Sequence, residues 1–326
     1  MSKEIKRIAV FTSGGDAPGM NAAVRAVVRT GGYYDLHVYG ITQGYEGMIH
    51  GKIKRLEKSD VANIIHTGGT RLKTARSESF RTPEGRELAY ETLAAHDIDA
   101  CIAVGGDGTY TGAKVFTETY DIPFIGLPGT IDNDIYGTDY TIGFDTAINT
   151  AVEAIDKIRD TADSHNRLFF IEVMGRHAGY IALHTGIGTG AGYVFLPETE
   201  TNLEEFVKQL QLSNRRKKLF NMVVVAEGNQ NGNAMEIASH LKEEYQIDSK
   251  VTIIGHLQRG GSPSAFDRVL SSRLGYNAVK SLLDGKKNVA LGIVNGEIVH
   301  TPFADAISKS KAMNKDLLEM SEILSL

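Results

Sequence analysis

The chain has one cysteine, seven prolines and no stretch near the ~20 apolar residues that a bilayer-crossing helix needs. Each shortage removes a class of protein. A single thiol, Cys101 in "ACIAVGG", cannot close an internal disulfide, and its apolar surroundings predict a buried core residue rather than a reactive one. The first residues, "MSKEIKRIAVF", carry charge but no separate apolar segment with a cleavage site, so no signal peptide and a cytoplasmic location are expected. Positive charge is not in excess either. With 35 Lys and Arg against 40 Asp and Glu the formal net charge is −5, which argues against a broad nucleic-acid surface. A local basic pocket for a small anion stays open. There is no Pro/Ser-rich linker and no low-complexity segment.

What the chain does have is length, glycine and alternation. Its 326 residues exceed what one core usually holds, so two lobes are expected. Apolar, β-rich runs stand at 7–12, 36–41, 100–104, 123–127, 168–174, 222–228, 251–257 and 289–294. Helical patterns lie between most of them, at 19–30, 85–96, 109–119, 145–162, 202–216, 233–246 and 263–284. Continuous apolar strands separated by helices predict an α/β fold with mainly parallel sheets covered on both faces. Helix caps are expected at Thr201-Asn202 and at Ser262-Pro263. With no linker between them, the lobes are expected to exchange chain more than once.

Two short segments echo each other: "SGGDAPG" (13–19) and "VGGDGT" (104–109), each a strand end, Gly-Gly-Asp and a helix start. Neither fits the dinucleotide fingerprint or the Walker A pattern. In doubly wound sheets ligands sit beyond the carboxyl ends of strands, where glycines let backbone N–H groups approach an anion and a helix N-terminus favours negative charge. A tight strand–helix turn explains either loop alone. Bare carboxylates repel phosphate, so an aspartate in such a loop suggests magnesium, which takes a few carboxylates plus phosphate oxygens and water. Asp107 is the candidate.

A third segment, "PGTIDNDI" (128–135), places Asp132 and Asp134 two residues apart after the run "IPFIGL". One carboxylate could accept the proton of an acceptor alcohol while the other organises magnesium and water; an Asx-turn or helix cap accounts for the spacing equally well. Phosphoryl transfer also needs cations on the moving group. Arg76 ("LKTARSE"), Arg176 ("EVMGRHAG") and Arg259 ("GHLQRGG") stand near strand ends. His177 and His184 are seven apart on a helical pattern, but no third ligand has metal spacing. The stretch "MNKDLLEMSEILSL" reads as a docking helix.

In order and spacing, "TSGGDAPGMNA", "GGDGTYTGA", "PGTIDNDIYGTDYTIGFDTA", "IDKIRDTADSH", "IEVMGRHAGYIAL", "VVAEG" and "GHLQRGGSPSAFDRVLSSRLG" resemble the bacterial type of ATP-dependent 6-phosphofructokinase. The resemblance runs over about residues 5–300. It implies two doubly wound, Rossmann-like lobes with the active site in the interlobe cleft. Residues 1–143 and 258–308 would form the nucleotide-binding lobe, and 144–257 with 309–326 the sugar-phosphate lobe. It further implies transfer of the γ-phosphoryl of Mg-ATP to the 1-hydroxyl of fructose 6-phosphate, by a cytoplasmic homotetramer whose sites are shared between subunits. Carried over by position, Gly15, Tyr45, Arg76, Ser77, Gly106, Asp107, Gly108 and Thr109 would contact ATP, with Asp107 on magnesium. Thr130, Ile131 and Asp132 would contact the sugar, with Asp132 as general base and Thr130 counted with Asp132 and Arg176 among the catalytic residues. Met174, Gly175, Arg176, Glu227, Lys250, His256, Leu257, Gln258 and Arg259 would hold the sugar phosphate, Arg176 would stabilise the transferred group, and Arg167 would reach in from another subunit. Glycine at 108 and 129, where pyrophosphate-dependent relatives resemble Asp and Lys, favours ATP as donor over pyrophosphate. A non-catalytic nucleotide-binding homologue is the other alternative; it conflicts with the presence of Asp107, Asp132 and Arg176.

The chain departs from the family in two places. Lys250 stands where an arginine is usual, which keeps the charge but loses the bidentate fork. The site for an ADP or phosphoenolpyruvate effector would use Arg25, Arg29, Arg159, Gly190, Gly192, Arg216, Lys218 and Phe220. There Gly192 and Asn63 replace acidic residues and Phe220 replaces a histidine, so weak activation by Mg-ADP is expected.

Overall fold

The computed structural model describes residues 4–165, 167–200, 202–215 and 222–325. Among these the strands form two sheets. The first runs β11-β10-β5-β4-β1-β2-β3, built from β1 (Arg7–Thr12), β2 (His37–Ile41), β3 (Ile53–Leu56), β4 (Ala100–Gly105), β5 (Phe124–Pro128), β10 (Val289–Val294) and β11 (Glu297–Pro302). Its inner pairings are parallel, and the two edge strands, β3 and β11, are antiparallel. The second sheet runs β7-β8-β6-β9, all parallel, from β6 (Leu168–Val173), β7 (Tyr193–Phe195), β8 (Met222–Ala226) and β9 (Ser249–Ile253).

The order follows from burial. Every residue of β4, β5 and β8 is buried, as continuous apolar runs require when helices cover both faces. β3 and β11 mix exposed and half-buried positions and β7 is only three residues long, which is why these three carry little apolar signal in the sequence. The turn between β10 and β11 is built on Asn295 and Gly296, both of positive φ (51° and 83°), the conformation that Asn-Gly favours in a two-residue hairpin.

Two compact units result. One comprises Met1–Thr130, Ile135–Thr146 and Arg259–Lys311; the other comprises Ile131–Asp134, Ala147–Gln258 and Ala312–Leu326. Phe11, Tyr45, Phe80, Tyr110, Phe116 and Phe124 anchor the core of the first. Phe170, Phe195, Phe206, Val223 and Leu241 anchor that of the second. Burial pushes the Cys101 thiol far above its ordinary pKa, consistent with a core role.

Three local expectations change. The run 251–257 is strand only to Ile253; Gly255 takes φ 52° and a 3-10 helix, Gly255–Arg259, follows. The cap of the helix Ala265–Leu283 is Ser264, whose hydroxyl accepts the Asp267 N–H, rather than Ser262. His177 precedes the helix Tyr180–Thr189 that holds His184, so the two do not share a helical face. Asn202 caps the helix Leu203–Arg215 through the Glu204 and Glu205 amides, while Thr201 lies outside the described residues. The final helix, Lys315–Ser325, packs on Tyr180–Thr189 and β7.

Candidate active site

In the first unit, parallel pairing of β1 with β4 brings the two Gly-Gly-Asp loops together. The Ser13 N–H donates to the Val104 carbonyl (2.9 Å), and a Cβ on Gly105 would stand 2.6 Å from the Ser13 carbonyl. Gly106 precedes the helix Asp107–Thr119, whose first turn carries Asp107 and Gly108 at the surface. Unsatisfied N–H groups there make an anion cradle. Gly106 also lies against Thr130, whose carbonyl accepts the Thr141 hydroxyl (2.6 Å). The two glycines bearing on the donor differ in their surroundings. A Cβ on Gly108 would meet nothing within 4 Å, whereas one on Gly129 would press Met20 and Val104 at 3.0 Å and the Gly105 amide nitrogen at 3.2 Å.

Arg259 belongs to this loop cluster. Its guanidinium donates to the Asp16 carbonyl (3.2 Å) and would stand 2.6 Å from a Cβ on Gly15. Tyr45 is buried in the core, stacked on Phe80 at 4.0 Å, with its hydroxyl donating to the Thr109 carbonyl (2.6 Å). Its ring is therefore a support beneath the loop rather than an open face. Arg76 is exposed, and the Ser77 hydroxyl donates to Glu46 Oε2 (2.6 Å). That bond, ahead of the His50 and Lys52 charges, holds the Glu46 carboxyl below its ordinary pKa.

The second unit gathers the other group. Asp132 is 2% exposed, and Arg176 Nε lies 3.6 Å from its Oδ2. Both belong to turns of left-handed backbone: Asn133, next to Asp132, has φ 55° and Arg176 itself φ 53°. Non-glycine residues hold that conformation only where surrounding structure imposes it. Glu227 does so here, its Oε1 accepting the N–H groups of Gly175 (3.2 Å) and Arg176 (2.7 Å). Gln258 is fully buried and accepts the Met174 N–H (2.9 Å), so its side chain has no route to a substrate; the resemblance had made it a sugar contact. His256 and Leu257 are exposed on the same 3-10 helix. Arg167 and Lys250 share a groove of about 570 Å³ with Met235, Ser239 and Lys242. Ile131 is buried.

Asp134 acts on Tyr180, whose hydroxyl is pushed up to about 12 by burial, with the Glu198 and Asp134 charges adding. Glu198 in turn accepts the Gly179 N–H (2.8 Å). Tyr180 lies within the segment "IEVMGRHAGYIAL" but was not singled out there, and Glu198 lies in none of the quoted motifs. Of the effector candidates, Arg25 and Arg29 lie on the helix Met20–Tyr33 of the first unit. In the second unit Arg159 donates to the Thr189 carbonyl, beside Gly190, the left-handed C-cap (φ 60°), and Gly192. Arg216, Lys218 and Phe220 lie outside the described residues.

Comparison with known proteins gives the family. The phosphofructokinase family pattern matches residues 7–282, and the chain belongs to that family. It is 53% identical over 322 residues to a Cytophaga hutchinsonii protein named ATP-dependent 6-phosphofructokinase, with 98% of each chain covered. Its fold is similar to that of phosphofructokinase from Saccharomyces cerevisiae (TM-score 0.87, 40% identity), covering 93% of this chain and 45% of the yeast chain, so it spans under half of that relative. It is also similar to a pyrophosphate-dependent phosphofructokinase from Marinobacter aquaeolei (TM-score 0.83, 26% identity), covering 98% and 91% respectively.

Proposed function

We propose that this chain transfers the γ-phosphoryl group of ATP to the 1-hydroxyl of D-fructose 6-phosphate, giving fructose 1,6-bisphosphate and ADP. The observation that carries the reading is the buried Asp132 carboxylate faced by the Arg176 guanidinium at 3.6 Å, a base beside a cation. Asp132 accepts the proton of the sugar hydroxyl as its oxygen attacks phosphorus. Arg176 offsets charge on the transferred group, and its exposed guanidinium can move from carboxylate to phosphoryl oxygen. The first unit serves the nucleotide through the Gly15 and 106–109 loops, with Arg259 over the former; the second serves the sugar through Asp132, the 174–176 turn and Glu227.

Magnesium fits the residues present. Asp107 offers one surface carboxylate at a helix start, with open space at Gly108, and no group of three metal-ligating side chains exists among the described residues. A hexacoordinate ion that keeps its waters and binds phosphate oxygens suits one carboxylate. When bound it would neutralise phosphate charge. Gly108 and Gly129 support ATP over pyrophosphate. The open space at Gly108 leaves room for the rest of a nucleotide, and the packing at Gly129 leaves none for a lysine without movement of Met20 or Val104.

The exposed Arg167–Lys250 groove supports a homotetramer in which these cations complete a neighbour's sugar-phosphate site. Gly192 and Asn63 leave the effector site short of carboxylates, so ADP or phosphoenolpyruvate regulates weakly. The enzyme works in glycolysis in the cytoplasm; no helix among the described residues is long and apolar enough to cross a membrane. The test is the initial rate of fructose 1,6-bisphosphate formation with magnesium and either ATP or pyrophosphate, each with and without ADP. ATP-only turnover is expected, with little response to ADP. Turnover with pyrophosphate would overturn the donor argument, and a large shift of the sugar saturation curve by ADP would overturn the effector argument. No turnover with either donor would favour the non-catalytic reading.

A further inference from the structure

We infer that Gln258 is a positioning residue: it fixes the 174–176 turn so that the Arg176 guanidinium stays on the Asp132 carboxylate. The inference rests on the phosphotransfer reading above and goes beyond it. β6 pairs with β8 through Val173 and with β9 through Glu172, and the outermost ladder-type bonds are Glu227 N–H to the Val173 carbonyl and Ile254 N–H to the Glu172 carbonyl. The next three amides, of Met174, Gly175 and Arg176, have left the ladder, yet they must find acceptors where Met174 is buried.

Two side chains supply them. Gln258 Oε1 takes the Met174 N–H at 2.9 Å, and Glu227 Oε1 takes those of Gly175 and Arg176. Gln258 Nε2 faces the Ala147 carbonyl at 3.5 Å, which orients the amide so that its oxygen points at Met174. The turn so held carries successive φ values of 144° and 53°, the second on a residue with a side chain. It also packs without slack: a Cβ on Gly228 would stand 1.8 Å from the Arg176 carbonyl, and one on Gly175 2.3 Å from the Ala178 carbonyl. A backbone in an unfavoured conformation relaxes when one of its acceptors is withdrawn, and Arg176 would move with it. Gln258 itself is fully buried, so it reaches the chemistry only through this turn.

The test compares Gln258→Leu, which removes the acceptor at similar volume, with Gln258→Glu, which keeps an oxygen for Met174. Misplacing a group by about 1 Å costs on the order of 10²-fold in rate. Gln258→Leu is therefore expected to lower kcat by ~10–10² fold while KM for fructose 6-phosphate stays within about threefold. Gln258→Glu is expected to restore most of kcat. Hydrogen–deuterium exchange, which does not depend on turnover, should show faster exchange of a peptide spanning 174–176 in Gln258→Leu alone. If Gln258→Leu does not fold, Gln258→Asn, which draws the acceptor back by one methylene, is expected to show the same kcat loss and faster exchange. Unchanged kcat in the folded leucine or asparagine variant would overturn the inference, as would a glutamate variant no better than leucine, or unaltered exchange at 174–176. A wild-type protein with no turnover would instead remove the phosphotransfer reading, and the exchange result would still report on the turn.

Discussion

Replacing Asp267 by asparagine probes the most heavily engaged buried carboxylate outside the proposed chemistry. Asp267 lies on the helix Ala265–Leu283, fully buried, and joins it to the start of the helix Phe144–His165. Its Oδ1 accepts the Gly143 N–H (2.9 Å), and its Oδ2 accepts the Thr146 N–H (2.8 Å) and hydroxyl (2.5 Å). Burial nevertheless outweighs these bonds, with the Asp145 charge adding to it, and raises the carboxyl from 3.8 to about 6. A carboxyl raised on folding contributes stability that is present below pH ~4 and lost as pH rises through ~6, ~3 kcal/mol in all. Of that, about 1.4 kcal/mol lies between pH 5 and pH 8.

Asparagine does not titrate. It keeps one oxygen and turns an amide N–H₂ toward a donor, so Asp267→Asn should destabilise by about 1–3 kcal/mol at pH 8. That cost should be larger at pH 5, by about 1.4 kcal/mol. Urea unfolding of both proteins across this range at one protein concentration measures the difference. A cost that instead grows with pH would mean the three hydrogen bonds outweigh desolvation, and the reasoning would be wrong.

Asp132→Asn should lower kcat by ~10²–10⁴ fold with a much smaller change in KM for the sugar; a variant keeping most of its turnover would remove Asp132 as base. Tyr45→Phe leaves the buried Thr109 carbonyl without its 2.6 Å donor and should cost about 1–2 kcal/mol in urea unfolding, with a raised KM for ATP. Gly228→Ala puts a methyl 1.8 Å from the Arg176 carbonyl and should depress kcat at least about tenfold, because Arg176 is displaced; wild-type kinetics would show that the 174–178 turn yields without consequence. Lys250→Arg restores a planar fork and should lower KM for fructose 6-phosphate, by ~1 kcal/mol or less in binding; no change would mean that lysine serves as well.

Most of the legible strands are buried on both faces, although β2 and the half-exposed edge strand β9 were also read as apolar runs. β1, β4, β5, β6, β8 and β10 each read as an apolar run because helices cover them. β3, β7 and β11 were not, since short or half-exposed edge strands share no continuous apolar signal. The Gly-Gly-Asp loops were visible as residue types at strand ends. Their mutual placement was not, because it depends on the β1–β4 register.

By itself the sequence determined the α/β class and membership of the phosphofructokinase family, since these rest on residue type, local period and motif order. Only the tertiary structure decided what the side chains of those segments touch. Gln258 and Glu227 lie in segments that read as substrate contacts, yet their oxygens complete the backbone of the 174–176 turn. Tyr45 reads as a surface for a base but is packed into the core. Hydrogen-bond acceptors and burial are settled by neighbours 50 to more than 80 residues away along the chain, as with Glu227 on Arg176 and Gln258 on Met174, and no local pattern encodes them.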